Sequence, residues 1–362
     1  MVSGLVAGFY IHIPFCKKRC LYCDFFSTTL LERRAEYVAA LIKEIHARKN
    51  EAGEPIRTIY LGGGTPSTLE AQDIQRLLEA VDTKEAEEVT MELNPGDATP
   101  EYLRVLKTIG INRLSIGIQS FQDDLLRLIG RRHNAAQAIE AVQMAQAAGF
   151  DNLSIDLMYA LPTQTMEQWK ADIETALRLG IQHISCYGLM YEEGTALTQM
   201  RDKGELTPID EETENAMYDY LCARLKEAGF AHYEVSNFAL PGYEAKHNSS
   251  YWNGTPYIGV GAGAHSYVGR VRSWNASDVE AYIRGEAERE SETLTDEELY
   301  NERIMLGLRT SQGISEATSV RSRSVIGSKI QKGLLRQTDD HRIVATQEGI
   351  HILNRIIEDL MI

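Results

Sequence analysis

Three cysteines, Cys16, Cys20 and Cys23, fall in the short stretch Cys16-Lys17-Lys18-Arg19-Cys20-Leu21-Tyr22-Cys23. Thiolates are ligands for zinc and for iron–sulfur clusters. Their close spacing holds all of them in one tight loop. Three protein ligands suit a cubane cluster with one iron left open, where a small molecule can bind. Structural zinc usually takes four ligands, often as two CxxC pairs, and no second pair occurs here. His12 would be an awkward fourth ligand from inside a strand. Zinc and a metal-free loop remain the alternatives. Lys17, Lys18 and Arg19 inside the loop either lower the thiol pKa values or simply face solvent. Phe25 occupies the next alternate position after Cys23.

Further candidates follow apolar runs. Gly62-Gly63-Gly64-Thr65-Pro66-Ser67 comes directly after Thr58–Leu61. Its glycines allow close backbone approach by an amino-acid-like ligand, or form a plain tight turn. It is not a phosphate loop, because no Lys-Ser/Thr follows. Glu92, Asn94, Gln119 and Asp156 are polar groups in or just after apolar runs. Burying them is costly without partners. Internal hydrogen bonding explains any one of them; together they read as a polar pocket. Arg131, after Gly130, is placed to reach a carboxylate in two-point fashion or to face solvent. The run Lys246-His247-Asn248-Ser249-Ser250-Tyr251-Trp252 offers a candidate iron ligand in His247 and aromatic faces in Tyr251 and Trp252. Its bland alternative is a loop clamped down by its aromatics. Gly259–Gly263 offers further close approach, and His265 is a weaker candidate. Cys186 and Cys222 read as buried, inert thiols.

The elements that must position these residues alternate. Apolar strands are expected at Phe9–Ile13, Thr58–Leu61, Val89–Leu93, Leu114–Ile118, Leu153–Tyr159 and Ile184–Tyr187. Amphipathic helices are expected at Leu31–Arg48, Leu69–Val81, Pro100–Thr108, Asp123–Ile129, Asn134–Ala148 and Met166–Leu179. Ser67 with Glu70 spells a capping box, and Thr99 before Pro100 a second helix start. Gly110, Gly149, Gly180 and Gly229 each end a helix before a short apolar turn and a strand. Repeated αβ units imply a mostly parallel α/β sheet, either a partial barrel or a doubly wound open sheet. The expected division is a barrel over residues 1–235, a linking and barrel-covering segment over 236–294, and a small helical domain over 295–362 with a hairpin near His341–Ala345. In either architecture the cysteine loop sits at the C-terminal end of the first strand, where ligands gather.

The 362 residues, 43% apolar and 8% aromatic, suffice for a large domain plus a smaller one. A net charge of −15 argues against phosphate-driven nucleic-acid binding, and Arg321 with Arg323 is too small a basic group to change that. Five cysteines, clustered and odd in number, are no disulfide framework and fit a reducing compartment. The start Met1-Val-Ser-Gly-Leu lacks a signal-peptide pattern. No apolar run approaches the ~18 residues of a membrane span. A cytoplasmic location is expected.

Tyr10-Ile11-His12-Ile13-Pro14-Phe15-Cys16 through Cys20 and Cys23 resembles the cluster motif of the radical S-adenosylmethionine enzymes. The surrounding blocks resemble the oxygen-independent coproporphyrinogen III oxidase group over nearly the whole chain, and within it the heme-chaperone branch. The resemblance implies a partial (β/α)6 barrel with a smaller C-terminal domain. It implies a [4Fe-4S] cluster on Cys16, Cys20 and Cys23, whose open iron takes the amine and carboxylate of S-adenosylmethionine. It places Gly62, Gly63, Gly64 and Thr65 against the methionyl group, Glu92, Gln119, Arg131 and Asp156 as polar contacts to that cofactor, and Tyr10 packing near it. Tyr187-Gly188-Leu189 matches a segment lining the cleft. His247, Asn248, Tyr251 and Trp252 match a signature of the chaperone branch, with His247 the first heme-ligand candidate. Oxidases of the group carry a further cysteine where this chain has Phe25, and a long arm where nine residues precede Tyr10. Both departures favour heme binding and transfer to recipient hemoproteins of respiratory chains over decarboxylation of coproporphyrinogen propionates. An electron donor, a homodimer and transient membrane contact through recipients are the further partners this implies. Radical chemistry on another substrate stays open, because fold does not fix substrate.

Overall fold

The computed structural model describes residues 6–315 and 322–362; Met1–Leu5 and Arg321, weighed above, lie outside the described residues. Six strands are hydrogen-bonded in chain order, each parallel to the next: β1 (Ala7–Ile13), β2 (Ile56–Gly63), β3 (Glu88–Leu93), β4 (Arg113–Gln119), β5 (Leu153–Tyr159) and β6 (His183–Gly188). The connections carry α1 (Arg34–Arg48), α2 (Ala71–Val81), α3 (Pro100–Thr108), α4 (Asp123–Leu128), α5 (Ala135–Ala147) and α6 (Met166–Arg178). A doubly wound sheet reverses its strand order at a switch point. The order from β1 to β6 never reverses, so the units form a partial (β/α)6 barrel.

Two extensions complete the sheet. After α7 (Ala196–Asp202) and α8 (Glu211–Glu227), the strands β7 (Ala231–Glu234) and β8 (Asn237–Ala239) add antiparallel beyond β6. After α9 (Lys246–Asn253), β9 (Tyr257–Val260) lies parallel to β1 on the other edge. The strands β10 (His265–Val268), β11 (Val271–Asn275) and β12 (Arg289–Thr293) continue outward from it antiparallel, with the short helix α10 (Val279–Arg284) between the last two. Residues 236–294 therefore contribute strands to the barrel's own sheet.

Alternation along the strands divides the chemistry. Phe9, Ile11, Ile13, Ile59, Leu61, Met91, Leu114, Ile116, Ile155 and Leu157 are buried in one core with Tyr37, Val38 and Leu41 of α1 and Ile74 and Leu77 of α2. The intervening residues face the barrel interior and are mostly polar: Tyr10, His12, Thr58, Tyr60, Thr90, Glu92, Arg113, Ser115, Asp156 and Ser185. Apolar burial at roughly 25 cal/mol per Å² holds the helices on the sheet, while the interior is kept for hydrogen bonding.

The local punctuation follows the sequence with one correction. Gly110, Gly149, Gly180 and Gly229 all take positive φ, at 103°, 88°, 66° and 87°, as left-handed helix stops do. The Thr99 hydroxyl accepts from the Tyr102 amide and caps α3. The capping box expected from Ser67 and Glu70 does not form. Glu70 itself precedes α2, with no side-chain cap. Ser67 turns away to donate to Asp97 at 2.9 Å and to accept from the Asn94 amide.

The C-terminal residues have a separate core. Tyr300 and Ile304 of the helix α11 (Asp296–Gly307) pack with Ile326, Ile343, Ile356, Ile357 and Leu360. The hairpin expected near His341–Ala345 pairs Leu335–Gln337 with Arg342–Ala345, and Ile314–Ser315 adds a third strand. This unit joins the barrel through β7: the Ser311 amide donates to the Tyr233 carbonyl, and the Val235 amide to the Arg309 carbonyl.

Candidate cofactor site at the C-terminal ends of the strands

The cysteine loop leaves β1 at Pro14 and is closed at its base by two backbone bonds. The Cys16 amide donates to Thr28 at 2.8 Å and the Thr28 amide to Pro14 at 2.7 Å. Its far side is clamped by the Leu21 amide on the Ile129 carbonyl, and by the Leu197 amide on the Leu21 carbonyl. Cys16 is buried, Cys20 and Cys23 are half-buried, and all are free thiols. The Cys16 sulfur lies 3.4 Å from the Thr65 hydroxyl. One Arg131 Nη donates to the Cys20 sulfur at 3.3 Å. Burial pushes the Cys16 thiol up and the Cys23 thiol to about 11, and the neighbouring cysteines add to both shifts. To act together as thiolates, groups buried and crowded this way need positive charge among them, which a cluster provides. Among the described residues no three His, Cys, Asp or Glu side chains converge on a single-ion position, as a closed zinc site requires. A cubane takes its thiolates on separate irons, so its ligand sulfurs stand wider apart. The donor set fits the cluster.

Two glycines act as hubs for the polar residues. A Cβ on Gly117 would lie 3.3 Å from both Arg131 Nη2 and Gln119 Nε2 and 3.9 Å from Asp156 Oδ2. A Cβ on Gly62 would lie 2.7 Å from the Tyr60 ring, 3.0 Å from Glu92 Oε1 and 3.1 Å from the Tyr10 ring. Tyr10, Glu92, Gln119, Arg131 and Asp156 are therefore gathered around one end of the barrel interior, beside the cysteine loop. Gln119 has a φ of 75°, where β4 slips register against β5. Such a left-handed non-glycine is strained backbone of the kind found at ligand sites. Arg131 also donates to the Gly117 carbonyl.

Glu92 and Asp156 share an uneasy electrostatic setting. Burial, and then the charge of Asp156, push Glu92 up to about 8, although the Tyr60 hydroxyl at 2.9 Å and the Gly63 amide at 3.2 Å donate to it. Burial raises Asp156 too, held back by hydrogen bonds from Ser115 and Ser185 and by Arg113 and Arg131. Paired carboxyls of this kind call for a cation. S-adenosylmethionine carries two, a sulfonium and an amine.

The glycine run has a different emphasis from the expected one. A Cβ on Gly63 would meet the His12 ring at 2.6 Å, and one on Gly64 the Pro14 carbonyl carbon at 2.7 Å. The glycines let this loop lie directly against β1 and the root of the cysteine loop. The space beside their Cα atoms is filled by the protein itself. His12 is occupied as well, hydrogen-bonded with Tyr10 and with the Phe26 carbonyl. Lys17, Lys18 and Arg19 are exposed.

Sequence reasoning missed Asp97. Its carboxylate, 3% exposed, binds Lys17 at 2.7 Å and Arg132 at 3.0 Å and accepts from Ser67. Burial raises its pKa, but the bonds from Arg132 and Lys17 outweigh that and hold it below the usual carboxylate range. It ties the cysteine loop to the turn after β3. No local signal marks an aspartate whose partner lies 80 residues away. Gly117 was also missed, although glycine inside a strand does signal close approach.

His247 is not brought to the cysteines. It enters the barrel from α9 at the opposite ends of the strands, fully buried. Nδ1 is hydrogen-bonded with the Thr58 hydroxyl at 2.9 Å and Nε2 with the Tyr251 hydroxyl at 2.9 Å. The backbone amides of Lys246 and His247 both donate to Glu88. Its ring stacks on Tyr60 at 5.2 Å. Burial, with Arg113 nearby, lowers it to about 3, so it is neutral. Neither ring nitrogen is open to a heme iron in this arrangement. Tyr251 packs edge-on against Tyr257, and Trp252 lines a groove of about 1160 Å³ that reaches Leu299 and Met305 of α11. Cys186 is buried, Cys222 is half-buried, and both thiols are raised by burial. His265 is exposed and stacks on Trp274.

A sequential parallel barrel with three loop cysteines at its C-terminal mouth defines a class, and the likeness of the chain to known proteins gives the same class. Residues 10–176 match the radical SAM superfamily model, and the chain is a radical SAM protein. The heme chaperone HemW of Lactococcus lactis is 37% identical over 98% of this chain and 97% of its own, and that of Bacillus subtilis 36% identical over 96% and 97%. The chain belongs to the HemW family. The solved structure of coproporphyrinogen III oxidase (HemN) from Escherichia coli superposes with a TM-score of 0.82 at 21% identity, covering 99% of this chain and 90% of that one. That likeness shows the shared fold.

Proposed function

We propose that this protein is a heme chaperone, which binds heme and passes it to recipient hemoproteins, on a scaffold holding a [4Fe-4S] cluster and S-adenosylmethionine. The observation that carries the reading is identity of 36–37% to heme chaperones across essentially the entire chain. When bound, the cluster supplies the electron for reductive cleavage of S-adenosylmethionine. The chain's residues have separate tasks. Cys16, Cys20 and Cys23 hold the cluster, and Asp97 pins their loop through Lys17. Glu92 and Asp156 meet the cofactor's positive charges. Gln119 and Arg131 offer donors to its carboxylate and ribose, and Tyr10 and Tyr60 wall the interior. The groove beside Trp252, with Arg272, Arg303 and Arg342 on its lining, is the proposed place for a flat apolar molecule bearing carboxylates. The same reading carries a cytoplasmic location, respiratory recipients, a homodimer, membrane contact through recipients, and the division at residues 235 and 294.

The test is anaerobic. Reconstituted protein with heme and an apo-cytochrome acceptor is expected to transfer heme. The same protein with reductant, S-adenosylmethionine and coproporphyrinogen III is expected to form no protoporphyrinogen IX. Steady turnover to that product would establish the oxidase instead.

A further inference from the structure

Gln119 keeps a φ of 75° although it is not glycine. The left-handed residue falls where β4 slips against β5: Gly117 pairs with Asp156, and Gln119 is the next to pair, with Leu157. A bulge of that kind re-aims a side chain, and a Cβ on Gly117 would lie 3.3 Å from Gln119 Nε2. Strained backbone persists only where its surroundings over-determine it. Here both flanks are held by side chains from outside the strand. Before Gln119, the buried His133 ring donates from Nε2 to the Ile118 carbonyl at 3.0 Å. After it, Asp172, wholly buried on α6, gathers the turn Ser120–Gln122. Its Oδ2 accepts from the Ser120 hydroxyl at 2.7 Å. Its Oδ1 accepts from the Phe121 amide and from the Gln122 side-chain amide, both at 2.9 Å. The Ser120 hydroxyl accepts in turn from the Gln122 backbone amide at 3.1 Å. Burial raises Asp172 to about 6, held back by the bonds from Ser120, Gln122 and Phe121. It is therefore mostly ionised at neutral pH and acts as an acceptor only.

We propose that Asp172 is a positioning residue for the cofactor site, which locks Gln119 in its left-handed conformation through the Ser120–Gln122 turn; this rests on the S-adenosylmethionine reading of that site. The peptide planes that are held lie on either side of the strained residue. His133 holds the plane between Ile118 and Gln119 by its carbonyl, and Asp172 holds the plane between Ser120 and Phe121 by its amide. The torsions of Gln119 and Ser120 lie between these planes and have little room to relax. Without the carboxylate the far plane is free. Gln119 then moves toward the extended region that non-glycine residues prefer, and its amide leaves its place beside Arg131 and Asp156. A carboxylate buried in a helix is costly unless its oxygens are hydrogen-bonded. All three of its bonds go to the three residues that follow Gln119, so the cost is met by ordering this one turn. The strain at Gln119 and the buried charge on α6 are two halves of one device.

The test is calorimetric titration of S-adenosylmethionine into the anaerobically reconstituted protein. Asp172→Ala is expected to weaken binding about tenfold. Ser120→Ala removes the bond to the carboxylate and the one from the Gln122 amide, and is expected to weaken it about threefold. Ile173→Ala, at the next residue of α6 and wholly buried, loosens the same helix and is expected to bind as wild type. Gln119→Gly separates positioning from plain stability. Glycine takes the left-handed conformation freely, and the side chain to be aimed is gone. Adding Asp172→Ala to Gln119→Gly is therefore expected to change affinity by less than about twofold. An aspartate that only stabilises the fold would cost the same factor in both backgrounds. If Asp172→Ala does not fold, Ser120→Ala completes the same cycle. Wild-type affinity in the single variants, equal losses in the two backgrounds, or equal weakening by Ile173→Ala would each overturn the proposal. Full iron and sulfide content with no S-adenosylmethionine binding by the wild type would overturn the cofactor reading, and the proposal with it.

Discussion

Glu92 shows how a residue's setting fixes its task. It sits beside Asp156 in a closed interior, and its pKa of about 8 leaves it mostly protonated near neutral pH when no cation lies beside it. A cationic ligand favours the ionised form, so binding drives off a proton. The sign follows. Affinity for S-adenosylmethionine should increase as pH rises from 6 toward 8.5, then level off. In Glu92→Gln the slope from this group should vanish, and binding at pH 8.5 should fall about tenfold, equivalent to ~1.4 kcal/mol. Calorimetric titration across that range checks both; an unaltered slope in the variant would assign the proton elsewhere. Without a bound cation, the same raised pKa costs stability as pH climbs from the unfolded carboxyl value through 8, because the folded state resists ionisation. The cysteines, Glu92 and Asp156 were legible in the sequence because each is a chemical anomaly within a few residues: clustered thiols, or a carboxyl in an apolar strand. Asp97 was not legible. It is an ordinary loop aspartate whose importance exists only once the fold brings Lys17 and Arg132 to it.

At the scale of elements, strands and helix stops were legible because they are local. Alternation, glycine at the left-handed position and Thr99 before Pro100 each act within one turn. The failed capping box at Ser67 shows the limit. A local pattern lost to tertiary partners, since Asp97 and the Asn94 amide claim the hydroxyl. The glycine hubs are also tertiary. At Gly62 a methyl would lie 2.7 Å from the Tyr60 ring and 3.0 Å from Glu92, so Gly62→Ala must shift a packed tyrosine. Overpacking of that kind costs about 1–3 kcal/mol, and the denaturant midpoint should fall accordingly. At Gly117 the neighbours are instead the ends of Arg131 and Gln119, which can withdraw. Gly117→Ala is expected to leave the midpoint within ~1 kcal/mol of wild type while weakening S-adenosylmethionine binding. Equal loss of stability in the two variants would remove the distinction between a packing glycine and a site glycine.

At the scale of the molecule, the barrel has two ends with different occupants. The C-terminal end carries the cysteine loop; the other is plugged by α9, whose helix start is held by the Glu88 carboxylate. Sequence reading placed His247 among the cofactor residues because a histidine in a family signature looks like a ligand. Which end of the barrel it entered was invisible, since that depends on how residues 236–294 rejoin β1 through β9. In the folded molecule His247 bridges Thr58 of β2 and Tyr251 of α9, locking the plug to the wall. Replacing it with phenylalanine keeps the ring but strands both hydroxyls in a buried place. Each lost bond is worth about 0.5–1.5 kcal/mol, and an unsatisfied buried partner about 1–3. His247→Phe should therefore be destabilised by roughly 2–4 kcal/mol. Heme titrated into the folded variant should give the wild-type absorption spectrum. Loss of the heme spectrum with unchanged stability would instead mean that α9 swings out of the barrel and that His247 is the iron ligand after all.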